Sequence, residues 1–239
     1  MSILSHLKPN KLVIILALGL VLGGGFALPV QAYFIDFVIG PTHPYNAAIS
    51  FAGGATPLIG VNINVINVLG DSTPLNSGDD NALEIVTGRL NFTTGNFTGS
   101  NASEWDFGGG GSLTITGGIL NLPTNTVLLS GTFNSAQVFQ SGSKFKIIGA
   151  DFSDTKNQAL LDYFGIVSTN QASGNFNLSL NTIIATYPPD PFTVPNNKIY
   201  SGDLVNEFVP APATVLLLGT GLVGLVGLRY RRRKAGAKN

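Results

Sequence analysis

Glu104 and Asp106 stand on either side of Trp105, the single Trp of this 239-residue sequence. Paired carboxylates are the working parts of most glycoside hydrolases. An indole beside acids also suits sugar binding, because its ring stacks on the apolar face of a pyranose. Alternation along a strand would put both carboxylates on one face and the indole on the other. In the plainer reading Trp105 fills a core and the acids are solvated, so the triplet is a candidate carbohydrate contact before it is a hydrolase. Asp71, Asp79, Asp80 and Glu84 form a second acidic group, in the loop DSTPLNSGDDNALE. Calcium takes oxygen ligands from such loops. Counting back from Glu84, however, puts Thr73, Leu75 and Ser77 where an EF-hand carries acids. Calcium is the one cofactor this loop suggests, and an exposed turn is the plainer reading.

Other chemistries have less to stand on. There is no Cys, so thiol catalysis and disulfides are excluded. His43, between Thr42 and Pro44, is the only His beyond the first few residues. A Ser-His-Asp relay or a zinc site needs His residues held in place by other groups. The run Gly108–Gly111 lacks the Lys or the GxGxxG spacing of a phosphate loop, and a strand pattern follows it, so it reads as a flexible loop. Asn91, Asn96, Asn101 and Asn177 each open an N-x-S/T triplet, but Asn and Thr are abundant enough for chance to supply them. No catalytic or metal-binding set emerges, and the chain reads as a non-enzyme.

The elements that must position these residues are strands. Val61, Ile63 and Val65 alternate with Asn62 and Asn64, a period of two. The phase slips at Ile66-Asn67-Val68, which predicts a bulge. Leu83–Thr87 and Arg89–Thr93 read as two short strands flanking Gly88. Leu113–Thr116, Thr126–Thr132, Lys144–Ile148 and Phe176–Leu180 continue the pattern between turns rich in Gly, Asn and Ser. One helix of about ten residues interrupts, capped by Asp154 or Thr155, with Ala159, Leu160, Leu161 and Phe164 as its apolar face and Gly165 as its stop. The fold class is all-β: a β-sandwich or jelly-roll-like domain with one short helix.

The two ends read differently from the middle. His6, Lys8 and Lys11 precede an apolar stretch, Leu12–Phe26, and Val30-Gln31-Ala32 resembles a cleavage site, so residues 1–32 are expected to be a signal peptide cut before Tyr33. An exported β-rich domain would follow over 33–186, then a Pro-rich linker over 187–208 acting as an extended spacer. All 13 acidic residues fall within Tyr33–Phe208, against five basic ones: Arg89, Lys144, Lys146, Lys156 and Lys198. That leaves a net charge of about −8, which keeps such a domain soluble and argues against a nucleic-acid partner. An exported domain without disulfides fits a bacterial source.

Residues 209–234 have three parts in order. A box, Val209-Pro210-Ala211-Pro212-Ala213-Thr214, is followed by an apolar run, Val215–Leu228, and then by Arg229, Arg231, Arg232, Arg233 and Lys234. As a helix, the stretch from Ala211 to Leu228 would span ~27 Å, enough for a bilayer core. Basic residues stay on the cytoplasmic side, so the expected precursor crosses the membrane once with its C-terminus in the cytoplasm. The gram-positive LPxTG signal does not fit, because Leu217-Leu218-Gly219-Thr220-Gly221 lacks the Pro and lies inside the apolar run. Box, apolar run and Arg cluster together resemble the PEP-CTERM sorting signal of exported bacterial proteins, with Pro210-Ala211-Pro212 where that family usually has Pro-Glu-Pro. The resemblance implies a membrane exosortase as partner, cleavage near the Pro box, and a destination at the cell surface or in an extracellular matrix such as a biofilm. It also implies extracellular polysaccharide as a neighbour. The sequence thus leads to a surface or matrix protein with a structural role, with a carbohydrate-binding module or adhesin using Glu104, Trp105 and Asp106 as the alternative.

Overall fold

The computed structural model describes residues 32–41, 46–141, 144–167, 172–181, 188–195 and 199–208. Twelve strands follow in order: β1 (Tyr33–Ile39), β2 (Ala48–Phe51), β3 (Pro57–Asp71), β4 (Leu83–Asn101), β5 (Glu104–Phe107) and β6 (Gly110–Gly118), then β7 (Val127–Phe133), β8 (Ala136–Ser141), β9 (Lys144–Lys156), β10 (Ala172–Asn181), β11 (Phe192–Pro195) and β12 (Ile199–Phe208). A short helix, α1 (Gln158–Phe164), joins β9 to β10. The all-β class with one short helix is as the sequence predicts. The strands, however, belong to one hydrogen-bonded sheet, in the order β11-β2-β3-β1-β12-β10-β9-β7-β6-β4-β5-β8, and not to two separate ones. Pairing of β3 with β4 closes β3, β1, β12, β10, β9, β7, β6 and β4 into a ring, and β8 also pairs with β9.

The sheet curls because its longest strands change partners along their length. One edge of β3 pairs with β2 through Leu58–Val61 and with β1 through Val65–Asp71, while the other edge runs along β4. Register shifts break the β3–β4 ladder at Gly60/Ile63 and Val65/Asn67. The second is the bulge expected at Ile66–Val68. The first is centred on Asn62, whose φ is 53° and whose N–H donates to Asn91 Oδ1 at 2.9 Å. Bulges of this kind increase twist and let a sheet roll up. Gly88 does not separate two strands as expected. It lies inside β4, next to Thr87 at φ 54°, where the β4–β6 ladder shifts between Val86 and Arg89.

Strands around the ring turn one face to a common core. Ile35 and Phe37 of β1, Leu90 and Phe92 of β4, Leu113 and Ile115 of β6, and Leu204 and Phe208 of β12 are all buried there. The alternation that identified the strands is therefore the inside–outside alternation of a rolled sheet. Helix α1 adds Leu160, Leu161 and Phe164 to the core, and Gly165 ends it in the left-handed conformation, as expected. Its cap is not Asp154 or Thr155, which lie in β9, but Asn157, whose side chain accepts from the Ala159 N–H at 3.0 Å.

The segment read as a Pro-rich linker is part of the sheet. β11 pairs with β2, and β12 lies between β1 and β10, paired along its length with both. Its inward residues Leu204, Asn206 and Phe208 are 0–3 % exposed. Proline content pointed to a spacer, but Ile199–Phe208 contains no Pro and alternates. Among the described residues no helix is long and apolar enough to cross a membrane. The expected signal peptide, membrane-spanning run and His43 lie outside the described residues.

Candidate functional site

The carbohydrate triplet lies on β5, with its faces disposed as alternation predicts. Trp105 points inward and is 0 % exposed. Its ring packs against Phe145 and Phe192 at centroid distances of 5.6 and 5.2 Å. Its Nε1–H donates to the Asp190 carbonyl at 3.3 Å. No ring face is open for a sugar, which corrects the expectation of stacking on Trp105. The chain segment at Asp190 and Phe192, expected to be a spacer, is part of what covers the indole. Glu104 and Asp106 are on the outer face, where Asn101 donates to Glu104 and Gln137 Nε2 donates to Asp106 Oδ1 at 2.9 Å.

Asp79 and Asp80 fall in an exposed 3-10 turn, Asp79–Asn81, leading into β4. Among the described residues no group of three or more His, Asp or Glu side chains is placed to hold a metal ion. The acidic loop thus offers calcium no converging set. The four-Gly run is not wholly loop either, since Gly110 and Gly111 open β6.

Two other features stand out. The first is a charged cluster inside the ring. Lys156 and Asp154, on the inner face of β9, have side chains only 2 % and 0 % exposed. Lys156 Nζ donates to Asp154 Oδ1 at 2.9 Å and Oδ2 at 2.7 Å, and to Asn206 Oδ1 of β12 at 2.8 Å. Those contacts use all three ammonium protons. The Phe208 ring lies beneath, 4.7 Å from Nζ to the centroid. Asn206 is 0 % exposed, and its Nδ2 has no hydrogen-bond partner among the described residues. Burial pushes the Asp154 carboxyl upward from its ordinary range, against the pull of Lys156. Burial likewise pushes Lys156 downward, against the pull of Asp154. The low-dielectric surroundings therefore favour the neutral form of each partner.

The second feature is the end of the sheet. Phe208, the last residue of β12, pairs with Tyr33 of β1 on one side and Ala172 of β10 on the other. Two residues after Phe208 comes Pro210, the first Pro of the box. Residues 208–233 match the PEP-CTERM protein-sorting motif. The match covers Pro210, Pro212, Arg229, Arg231, Arg232 and Arg233, the residues expected to form the signal. No curated protein and no solved structure matches the chain. The PEP-CTERM motif thus begins at a core residue of the last strand, with no spacer between.

Sequence reasoning missed the Asp154–Lys156–Asn206 cluster. Two charged residues at i and i+2 share one face of a strand, and that face here also carries Phe152. An acid and a base on a core-facing row was the available signal. Asn206 was hidden by the linker reading.

Proposed function

We propose that this is an exported bacterial protein of the cell surface or extracellular matrix, sorted by an exosortase, in which the β domain has a structural, non-enzymatic role. The observation that carries the reading is the PEP-CTERM match at residues 208–233, joined directly to a closed sheet. Residues 1–32 serve as the signal peptide. The apolar run Val215–Leu228 holds the precursor in the membrane, with Arg229–Lys234 on the cytoplasmic side. A structural role is supported by the burial of Trp105 and by the surface hydrogen bonds that occupy Glu104 and Asp106. The outer face carries neutral polar pairs such as Asn91 opposite Thr114 and Thr93 opposite Ser112. Such a face suits contact with hydrated extracellular polysaccharide.

Cell fractionation with mass mapping of both termini tests the sorting. Wild-type protein is expected outside the cell, beginning at Tyr33 and ending near Pro212. The variant with Arg229, Arg231, Arg232 and Arg233 all changed to Ala is expected to keep its tail and to accumulate in the cell. Wild-type protein that retains Arg229–Asn239 in the membrane would defeat the sorting reading.

A further inference from the structure

The cluster inside the ring holds three groups in a reactive order: a buried amine, a buried carboxamide and a carboxyl group touching the amine. Lys156 Nζ lies 2.8 Å from Asn206 Oδ1. A C=O bond is about 1.23 Å long, so the electrophilic Cγ of Asn206 is at most about 4 Å from the amine. Asp154 reaches the same nitrogen through both oxygens. The Asn206 Nδ2, the group that would depart, is held by no hydrogen bond among the described residues. With side chains of Lys156 and Asp154 nearly or fully out of contact with solvent, water is a poor competitor. A buried ion pair gives little stability by itself, so stability alone does not account for placing this one against an amide.

We propose that Lys156 and Asn206 join in an intramolecular isopeptide bond, with Asp154 as the acid–base catalyst. The step balances without any oxidant, metal or cofactor. The Lys156 ammonium passes one proton to the Asp154 carboxylate, and the free amine pair attacks Asn206 Cγ. A bond forms from Nζ to Cγ, and the oxygen of the carboxamide takes up the displaced electron pair. Asp154 delivers its proton to Nδ2, the Cγ–Nδ2 bond breaks, and ammonia leaves. Asp154 collects the surplus proton from the new amide nitrogen. It ends neutral, the form its burial favours, with no cation left beside it. Holding the reactants in contact replaces a bimolecular encounter, which is where the rate comes from.

The bond ties β9 to β12 across 50 residues of chain. β12 is the strand that continues into the sorting motif. Tension applied to the domain through its C-terminal strand would then run into β9 through a covalent link, in a chain with no Cys for a disulfide.

Proteolysis of the full chain, followed by tandem mass spectrometry, tests the proposal. The peptide containing Lys156 and the peptide containing Asn206 are expected as one branched species, lighter than their sum by one molecule of ammonia. Trypsin is expected not to cut after Lys156. Recovery of both peptides separately, with Lys156 cleaved normally and Asn206 intact, would overturn it. Asp154→Asn keeps the side-chain shape while removing the acid and is expected to leave the two peptides unjoined. A branched peptide formed as fast in that variant as in the wild type would remove Asp154 from the mechanism. The wild-type digest decides the bond itself even if the variant fails to fold.

Discussion

At the residue scale, the most informative ionisable group besides the internal pair is Asp36, on the outer face of β1. Burial, and next the charge of Asp203 on the neighbouring strand, raise its pKa from 3.8 to about 6, although the Leu204 backbone hydrogen bond opposes this. A carboxyl with a raised folded-state pKa binds protons more tightly in the folded protein. Its stabilising effect is full below about pH 4 and is lost as pH rises through about 6. Asp36→Asn is therefore expected to match wild type at pH 4 and to melt about 2–4 °C higher at pH 7. That corresponds to ~1 kcal/mol once solvent screening of a partly exposed group is allowed for. Thermal melts across this range check it, and identical curves for the two proteins would remove Asp36 as the cause. Individual residues were the least legible level of the sequence. Trp105 between two acids has the same sequence signature whether its ring faces sugar or core. Only the burial contributed by Phe145 and Phe192, distant in sequence, separates the two.

At the element scale, two glycines show how the sheet is packed. Gly60 pairs with Phe92 and Gly174 with Phe152, and in each case the aromatic ring lies over the bare backbone. A Cβ at Gly174 would stand 2.0 Å from Phe152 Cζ, so the ring would have to leave its place. Gly174→Ala is expected to cost about 1–3 kcal/mol, as overpacking does, and urea titration measures it. An unchanged midpoint would mean that Phe152 moves aside freely. Period-two patterning located β3, β4, β6, β7 and β9 because one face of each of these strands is buried, which forces alternation, and the same pattern located β10. It cut β4 in two at Gly88, since in sequence a Gly that marks a bulge looks like one that marks a turn. The cap of α1 was misplaced for a related reason. Asp154 has a capping side chain, but its carboxylate is already engaged by Lys156.

At the scale of the whole molecule, the ring depends on its last strand. Removing β12 would leave β1, still paired with β3, and β10, still paired with β9, each with one open edge, and would strip the core of Leu204, Asn206 and Phe208. A chain spanning Tyr33–Phe208 is expected to melt cooperatively, and one ending at Lys198, just before β12, to lack a cooperative transition; circular dichroism and limited proteolysis distinguish them. Equal melting of the two would restore the spacer reading of this segment. The all-β class and the sorting motif were legible because each depends on local pattern: alternation in one case, box, apolar run and basic cluster in the other. Closure was not legible, because pairing of Tyr33 with Phe208 joins residues at opposite ends of the domain, and no local window contains both.

That pairing also sets an order of events in time. A chain exported from its N-terminus presents Tyr33 first and Phe208 last, so the ring has no means of closing until the final strand has crossed. The ladders available earlier leave β1 and β10 with open edges, the state most exposed to aggregation or to a protease. Because the PEP-CTERM motif starts at the residue that completes the ring, the proposed sorting route would bring the signal to the membrane just as the last strand becomes available for closure. Released molecules would then be drawn from those that had already been able to fold.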